Sequence, residues 1–163
     1  MQRVLSASVT VDNVMVSKIG KGILIFAAVA PGDTAAEIDR MASKLVKTRF
    51  WDDAETGHRW KLSVKDIAGE VLCGMVSILS VIRTRHADIQ QVSQFTLLAK
   101  TTDGLKPSFH GAMDPVLAKE LYERFVVRVG EAYDAEKVKE GVFQAMMEVA
   151  LVNDGPVSSP HLK

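Results

Sequence analysis

Eight consecutive apolar residues, Ile23 to Ala30, follow a Gly20-Lys21-Gly22 turn and stop at Pro31-Gly32-Asp33. A strand with no polar alternation has no face to give to water, so this run belongs at the centre of a sheet. The flanking segments are read around it. Upstream, Val4 to Val11 alternates, Asp12-Asn13 makes a polar turn, and Val14 to Ile19 supplies a second apolar segment, which together predict an antiparallel hairpin. Downstream, Thr34-Ala35-Ala36-Glu37 is a capping box opening a helix, and Ile38, Met41, Ala42, Leu45 and Val46 give that helix a buried stripe.

Beyond the helix, Arg49 to Trp51 is expected as a short strand and Asp52 to Gly57 as a polar turn. Trp60 to Val64 leads to a strand near Glu70 to Leu72. Ser93 to Leu98 reads as a half-buried strand and Thr101 to Pro107 as a loop. Pro115 starts a long helix whose stripe is Leu117, Leu121, Tyr122, Phe125, Val126 and Val129. Met146 to Val152 is the last strand before a Gly-Pro tip. These elements predict an α+β fold: a mainly antiparallel sheet with two or three packed helices, in one domain spanning residues 1–163. The length is enough to bury a core without disulfides or a metal.

Charge and cysteine content bound the chemistry. Twenty Lys and Arg balance twenty Asp and Glu, so no global positive field announces a partner that is coated along its phosphate backbone. The single cysteine, Cys73, excludes an internal disulfide and suits a reducing compartment. With no basic-then-apolar start and no apolar stretch of membrane-spanning length, the expectation is a cytoplasmic protein with no membrane association. No Cys, His and carboxylate cluster has metal-ligand spacing and no glycine-rich phosphate loop occurs, so neither a metal nor an organic cofactor is expected. His58, His86, His110 and His161 stand without an evident Ser or Cys partner, so no catalytic triad is read.

Two short segments remain, Ser93-Gln94-Phe95-Thr96-Leu97 and Asn153-Asp154-Gly155-Pro156-Val157. The first places hydroxyl and amide groups on a strand, and the second can push bare carbonyl oxygens outward at a Gly-Pro turn. In this order they resemble the two signatures of the D-aminoacyl-tRNA deacylase family. The resemblance runs on through Ala7-Ser8-Val9-Thr10-Val11, Gly32-Asp33-Thr34, Lys106-Pro107-Ser108-Phe109 and Leu121-Tyr122-Glu123-Arg124-Phe125.

The resemblance implies a homodimeric hydrolase that cleaves the ester of D-aminoacyl-tRNA, glycyl-tRNA being a further candidate substrate. It implies that backbone N–H groups around Phe95 and Thr96 hold the oxyanion while Ser93, Gln94 and Thr96 shape the pocket. Gly155 and Pro156, joined by a cis bond and inserted from the partner subunit, would reject L-amino acids. Arg3 would orient their carbonyls, with Asn153 in support. Phe143 and Met147 would line the site of the 3′-terminal adenosine.

Several features depart from that pattern. Family members run directly from a strand like Glu70 to Cys73 into Val92, whereas here Gly74 to Gln91 intervenes. An insertion is tolerated best in an exposed loop, not inside a core strand, so the segment is read as an in-frame retained intron. Gln144 replaces a usual glycine, Ser158 a usual threonine, and Pro160 breaks the closing strand, while the start looks a few residues short. Two other readings stay open: a nucleic-acid-associated binding protein on the same fold, and an inactive product of a faulty gene model.

Overall fold

The computed structural model describes residues 1–74, 113–142 and 145–160. Strands β1 (Gln2–Val11) and β2 (Val14–Ile19) form the expected hairpin, and Asp12 and Asn13 both take the left-handed conformation that a two-residue hairpin turn requires. β3 (Gly22–Phe26) pairs antiparallel with the start of β1. Helix α1 (Ala35–Lys47) opens on Thr34, whose hydroxyl accepts the Ala36 N–H while the Glu37 carboxylate accepts the Thr34 N–H at 3.1 Å. β4 (Arg49–Trp51) and β5 (Leu62–Ser63) make a separate small hairpin. β6 (Glu70–Gly74), α2 (Pro115–Ala132), a turn of 3-10 helix at Ala135–Lys137, β7 (Val138–Glu140) and β8 (Met147–Ser158) complete the described chain.

The main sheet runs β2-β1-β3-β6-β7, with β8 on the free edge of β1. It is mixed, where a mainly antiparallel sheet was expected. β1 pairs antiparallel with β2, β3 and β8, but β3–β6 and β6–β7 are parallel. The reason is connectivity: α1 lies between β3 and β6, and α2 between β6 and β7, and parallel neighbours need such crossovers. β2 also approaches β6 and β7, so the sheet curls toward a barrel.

That curl gives the central strands two cores. Ile23 and Ile25 of β3, with Val71 and Cys73 of β6, pack under α1 and α2 beside Leu45, Tyr122 and Val129. Leu24 and Leu72 face the other way and pack with Val4, Ala7, Val9, Ile19 and Met147. The β3–β6 approach is close enough to dictate a residue. A Cβ on Gly22 would stand 1.8 Å from the Glu70 carbonyl oxygen, so only glycine fits. The ladder of β3 ends at Phe26, short of the expected Ala30; among the described residues Ala27 to Ala30 have no strand partner. In α2 the buried stripe is Ala118, Tyr122, Phe125 and Val129. Leu117, expected in that stripe, is 53% exposed because it lies one residue, about 100° of helix, away from Ala118.

Asp39 clamps the two helices together. Arg124 donates to it at 2.9 and 2.7 Å, and Arg128 at 2.9 and 3.1 Å. These bonds, Arg128 first and then Arg124, hold its carboxyl well below the usual carboxylate range. A depressed folded-state value means that the unfolded chain binds the proton more tightly. The stability is therefore present above the ordinary value of about 4 and is lost as pH falls toward the folded value. Asp39→Asn is expected to lower the urea midpoint at neutral pH, with the gap to the parent narrowing in acid. A gap independent of pH would contradict the clamp.

Candidate active site

β8 does not end before the Gly-Pro segment, as the sequence suggested; it passes through it. Asn153 is in register with Val4, and Val157 with Arg3. β1 thus advances one residue while β8 advances four, and Asp154, Gly155 and Pro156 leave the ladder as a three-residue protrusion. The residue types suit the excursion: Pro156 has no N–H to give a ladder, and Gly155 sits at φ +116°. The Gly155–Pro156 peptide bond is cis. Beyond the protrusion Ser158 pairs with Gln2, the Met1 ammonium donates to the Ser159 carbonyl at 3.0 Å, and the Ser159 N–H donates to the Met1 carbonyl at 2.9 Å. Pro160, which lacks a donor, then stops the pairing.

Arg3 holds the protrusion from beneath. Its Nε donates to the Asp154 carbonyl at 2.9 Å and its Nη1 to the Phe50 carbonyl, while Nη2 lies 3.4 Å from Asp154 Oδ1. The Nε to Oδ2 distance in the same ion pair is 3.2 Å. One rigid guanidinium therefore ties β1, β4 and the residue before Gly155 together. The Arg3 and Asp154 side chains are 15% and 26% exposed, so the pair is neither fully buried nor free in water. A Cβ on Gly155 would meet Arg3 Nη2 at 2.9 Å and Val157 Cγ2 at 3.1 Å, so the site also selects glycine by space. Gly155 and Pro156 themselves are exposed, presented to whatever approaches this edge.

Among the other sequence-predicted site residues, Asn153 is exposed at the last ladder position before the protrusion. Met147 is 7% exposed, packed in the second core with its sulfur facing Gly141. Ser93, Gln94, Phe95, Thr96 and Phe143 lie outside the described residues, as do Gln144, His86, His110 and His161. Two participants escaped the sequence reading. The Phe50 carbonyl could not be found, because a backbone oxygen has no side-chain signature. The Asp154 carboxylate could have been proposed as the counter-charge to Arg3.

Cys73 is buried, and burial pushes its thiol up to about 12, so it is no nucleophile. A cavity of about 570 Å³ opens elsewhere, lined mainly by Ile25 to Ala30, α1 and Ser158 to Pro160. Neither Arg3 nor the protrusion lines it, though their neighbours Gln2 and Ser158 do.

The fold is shared with a solved structure of a probable eukaryotic D-amino acid tRNA deacylase, which superposes with a TM-score of 0.69 over 95% of this chain and 92% of that one, at 16% identity. A family model described as D-Tyr-tRNA(Tyr) deacylase matches residues 1–81 and 75–160. The chain belongs to that family. It is 43% identical over 159 residues to the D-aminoacyl-tRNA deacylase of Yarrowia lipolytica, covering 97% of this chain and 92% of the relative. The D-aminoacyl-tRNA deacylase of Schizosaccharomyces pombe is 42% identical over 158 residues, covering 97% and 93%. A solved structure of a c-Myc DNA Unwinding Element Binding Protein is 34% identical, with a TM-score of 0.75 over 98% of this chain and 97% of that one.

Proposed function

We propose that this chain hydrolyses the ester of D-aminoacyl-tRNA, releasing the D-amino acid and the tRNA. The observation that carries the reading is the near full-length family match combined with an Arg3-anchored Gly155-Pro156 protrusion. The reaction needs a water, a polarised carbonyl and donors for the tetrahedral oxyanion. Backbone N–H groups around Phe95 and Thr96 supply those donors, with Ser93, Gln94 and Thr96 shaping the pocket and the ribose 2′-hydroxyl assisting. A threonine hydroxyl without an adjacent base is a poor nucleophile, so Thr96 is not given that role. Phe143 and Met147 border the terminal adenine. No metal or organic cofactor takes part.

Selectivity rests on the protrusion. In a homodimer, Gly155 and Pro156 of one subunit enter the partner's site and present carbonyl oxygens to the substrate amino group, Asn153 supporting their base. An L side chain would point into those carbonyls, while glycine would fit, so glycyl-tRNA is a second substrate. This is discrimination by exclusion. An isologous dimer gives two equivalent sites, and the work is done in the cytoplasm.

The family match breaks into two stretches that overlap at residues 75–81, within the segment Gly74 to Gln91. This supports reading that segment as an insertion; its origin as a retained intron is a separate proposal, tested by sequencing mature transcripts across it. The parallel register adds a structural reason: Ile25 faces Cys73 and Phe26 faces Gly74. In a chain joining Cys73 to Val92, the same register would set Phe26 opposite Val92 and Ala27 to Ala30 opposite Ser93 to Thr96, extending β3 to its full apolar length.

A second reading, a nucleic-acid-binding protein, is favoured by the name of the 34% identical structure, that of a DNA-binding protein. Incubating the protein with D-Tyr-tRNA and, in parallel, titrating it with duplex DNA separates the two. The deacylase reading expects ester cleavage without tight duplex binding; tight binding with an intact ester would replace it by the second.

A further inference from the structure

The hairpin joining β4 and β5 carries an unusual surface. Residues 44–66 hold six Lys and Arg against four Asp and Glu, a local excess of two in a chain with net charge zero. Three of the four acids are turned onto their own backbone. Asp52 accepts the Trp60 N–H at 2.8 Å, Asp53 accepts the Glu55 N–H and the Thr56 hydroxyl at 3.0 and 2.6 Å, and Asp66 accepts the Ser63 N–H and hydroxyl at 2.7 Å each. By contrast, Lys47, Arg59 and Lys61 are exposed, and their side chains engage no hydrogen bond or ion pair among the described residues. Between Arg59 and Lys61 stands Trp60, 52% exposed and at φ +53°, its N–H pinned to Asp52.

An indole held in water between two free cations is a composite that suits one ligand type: a flat base to stack on, with phosphates on either side. Its position relative to the candidate active site is fixed by Arg3, whose guanidinium bonds the Phe50 carbonyl of β4 and the Asp154 carbonyl at the base of the protrusion. The β4 strand of the hairpin and the base of the protrusion are thus held by one side chain.

We propose that the Arg59-Trp60-Lys61 hairpin grips the acceptor arm of the tRNA substrate upstream of its CCA end, Trp60 stacking on the unpaired nucleotide that precedes CCA and Arg59 and Lys61 pairing with phosphates of the acceptor stem. This rests on the deacylase reading, since it supposes that the terminal adenosine sits beside the protrusion. It also suits a chain with no global positive field, since the grip needs only a local pair of cations beside an exposed indole.

The test measures binding of uncharged tRNA and of a CCA trinucleotide by the full chain, across a range of salt. Arg59→Ala with Lys61→Ala is expected to weaken tRNA binding on the order of 10-fold, and to reduce the slope of log affinity against log salt by about 1 to 2. Trinucleotide binding should not change. Trp60→Ala should weaken tRNA binding with the salt slope unaltered. The exchange Arg59→Lys with Lys61→Arg keeps both charges and should retain the parent slope. Unchanged tRNA affinity in the alanine variants, or equal losses for tRNA and trinucleotide, would overturn the proposal. A parent that cleaves D-Tyr-tRNA while the hairpin variants bind tRNA normally would sink this inference alone. A parent that binds through the hairpin, with the ester left intact both by it and by a form lacking residues 74–91, would instead remove the deacylase reading.

Discussion

Gly155→Ala is expected to cut D-Tyr-tRNA hydrolysis on the order of 100-fold, the scale of loss that follows when a positioning element shifts by about 1 Å. Two causes act together. The added Cβ meets Arg3 Nη2 at 2.9 Å and Val157 Cγ2 at 3.1 Å, and φ +116° is a region that L-residues rarely occupy. The protrusion must move, and with it the carbonyls proposed to meet the substrate amino group. Because residues 154–156 lie outside the β1–β8 ladder, the rest of the sheet should survive the change. Gly32→Ala is the control: Gly32 also has a positive φ, +87°, but nothing lies within 4 Å of where its Cβ would stand, so the change should cost a little stability and no activity. Equal activity losses in the two variants would show that backbone strain in general, not the protrusion, was being measured.

Arg3→Ala is the second large effect. It strips donors from the carbonyls of Phe50 and Asp154 and from the Asp154 carboxylate at once. Each polar group left without a partner costs about 1 to 3 kcal/mol when buried, and partial exposure of this pair puts the loss toward the lower end. A fall in Tm of several degrees is expected, together with a loss of D-ester hydrolysis comparable to that of Gly155→Ala. Arg3→Lys separates charge from geometry. A single ammonium can answer the carboxylate but cannot bridge two carbonyls on different strands in a planar fork, so stability should partly return and activity should not. Full activity in Arg3→Lys would show that the charge alone suffices.

What the sequence disclosed was local. The Asp12-Asn13 turn, the Thr34 to Glu37 capping box and the Pro115 start of α2 each depend on neighbouring residues, and each is found where expected. Relations between distant segments were harder to read. The parallel β3–β6 and β6–β7 pairings depend on where α1 and α2 send the chain, and β7 is a three-residue Val-Lys-Glu segment that exists only by pairing with β6. The protrusion shows the same division. Asn153 to Pro156 was legible as a segment, but its excursion is a register difference between β1 and β8, visible only when both strands are in place. Arg3 was legible through family resemblance, whereas its Phe50 partner is a backbone oxygen that any residue would supply.

Stereoselective ester cleavage is tested most directly by single-turnover hydrolysis of D-Tyr-tRNA and L-Tyr-tRNA, comparing the 163-residue chain with a form lacking residues 74–91. The shortened form is predicted to cleave the D-ester and spare the L-ester, with the longer chain slower on the D-ester and equally inert to the L-ester. A shortened form that folds as a dimer yet cleaves neither ester, or cleaves both alike, would contradict the deacylase mechanism.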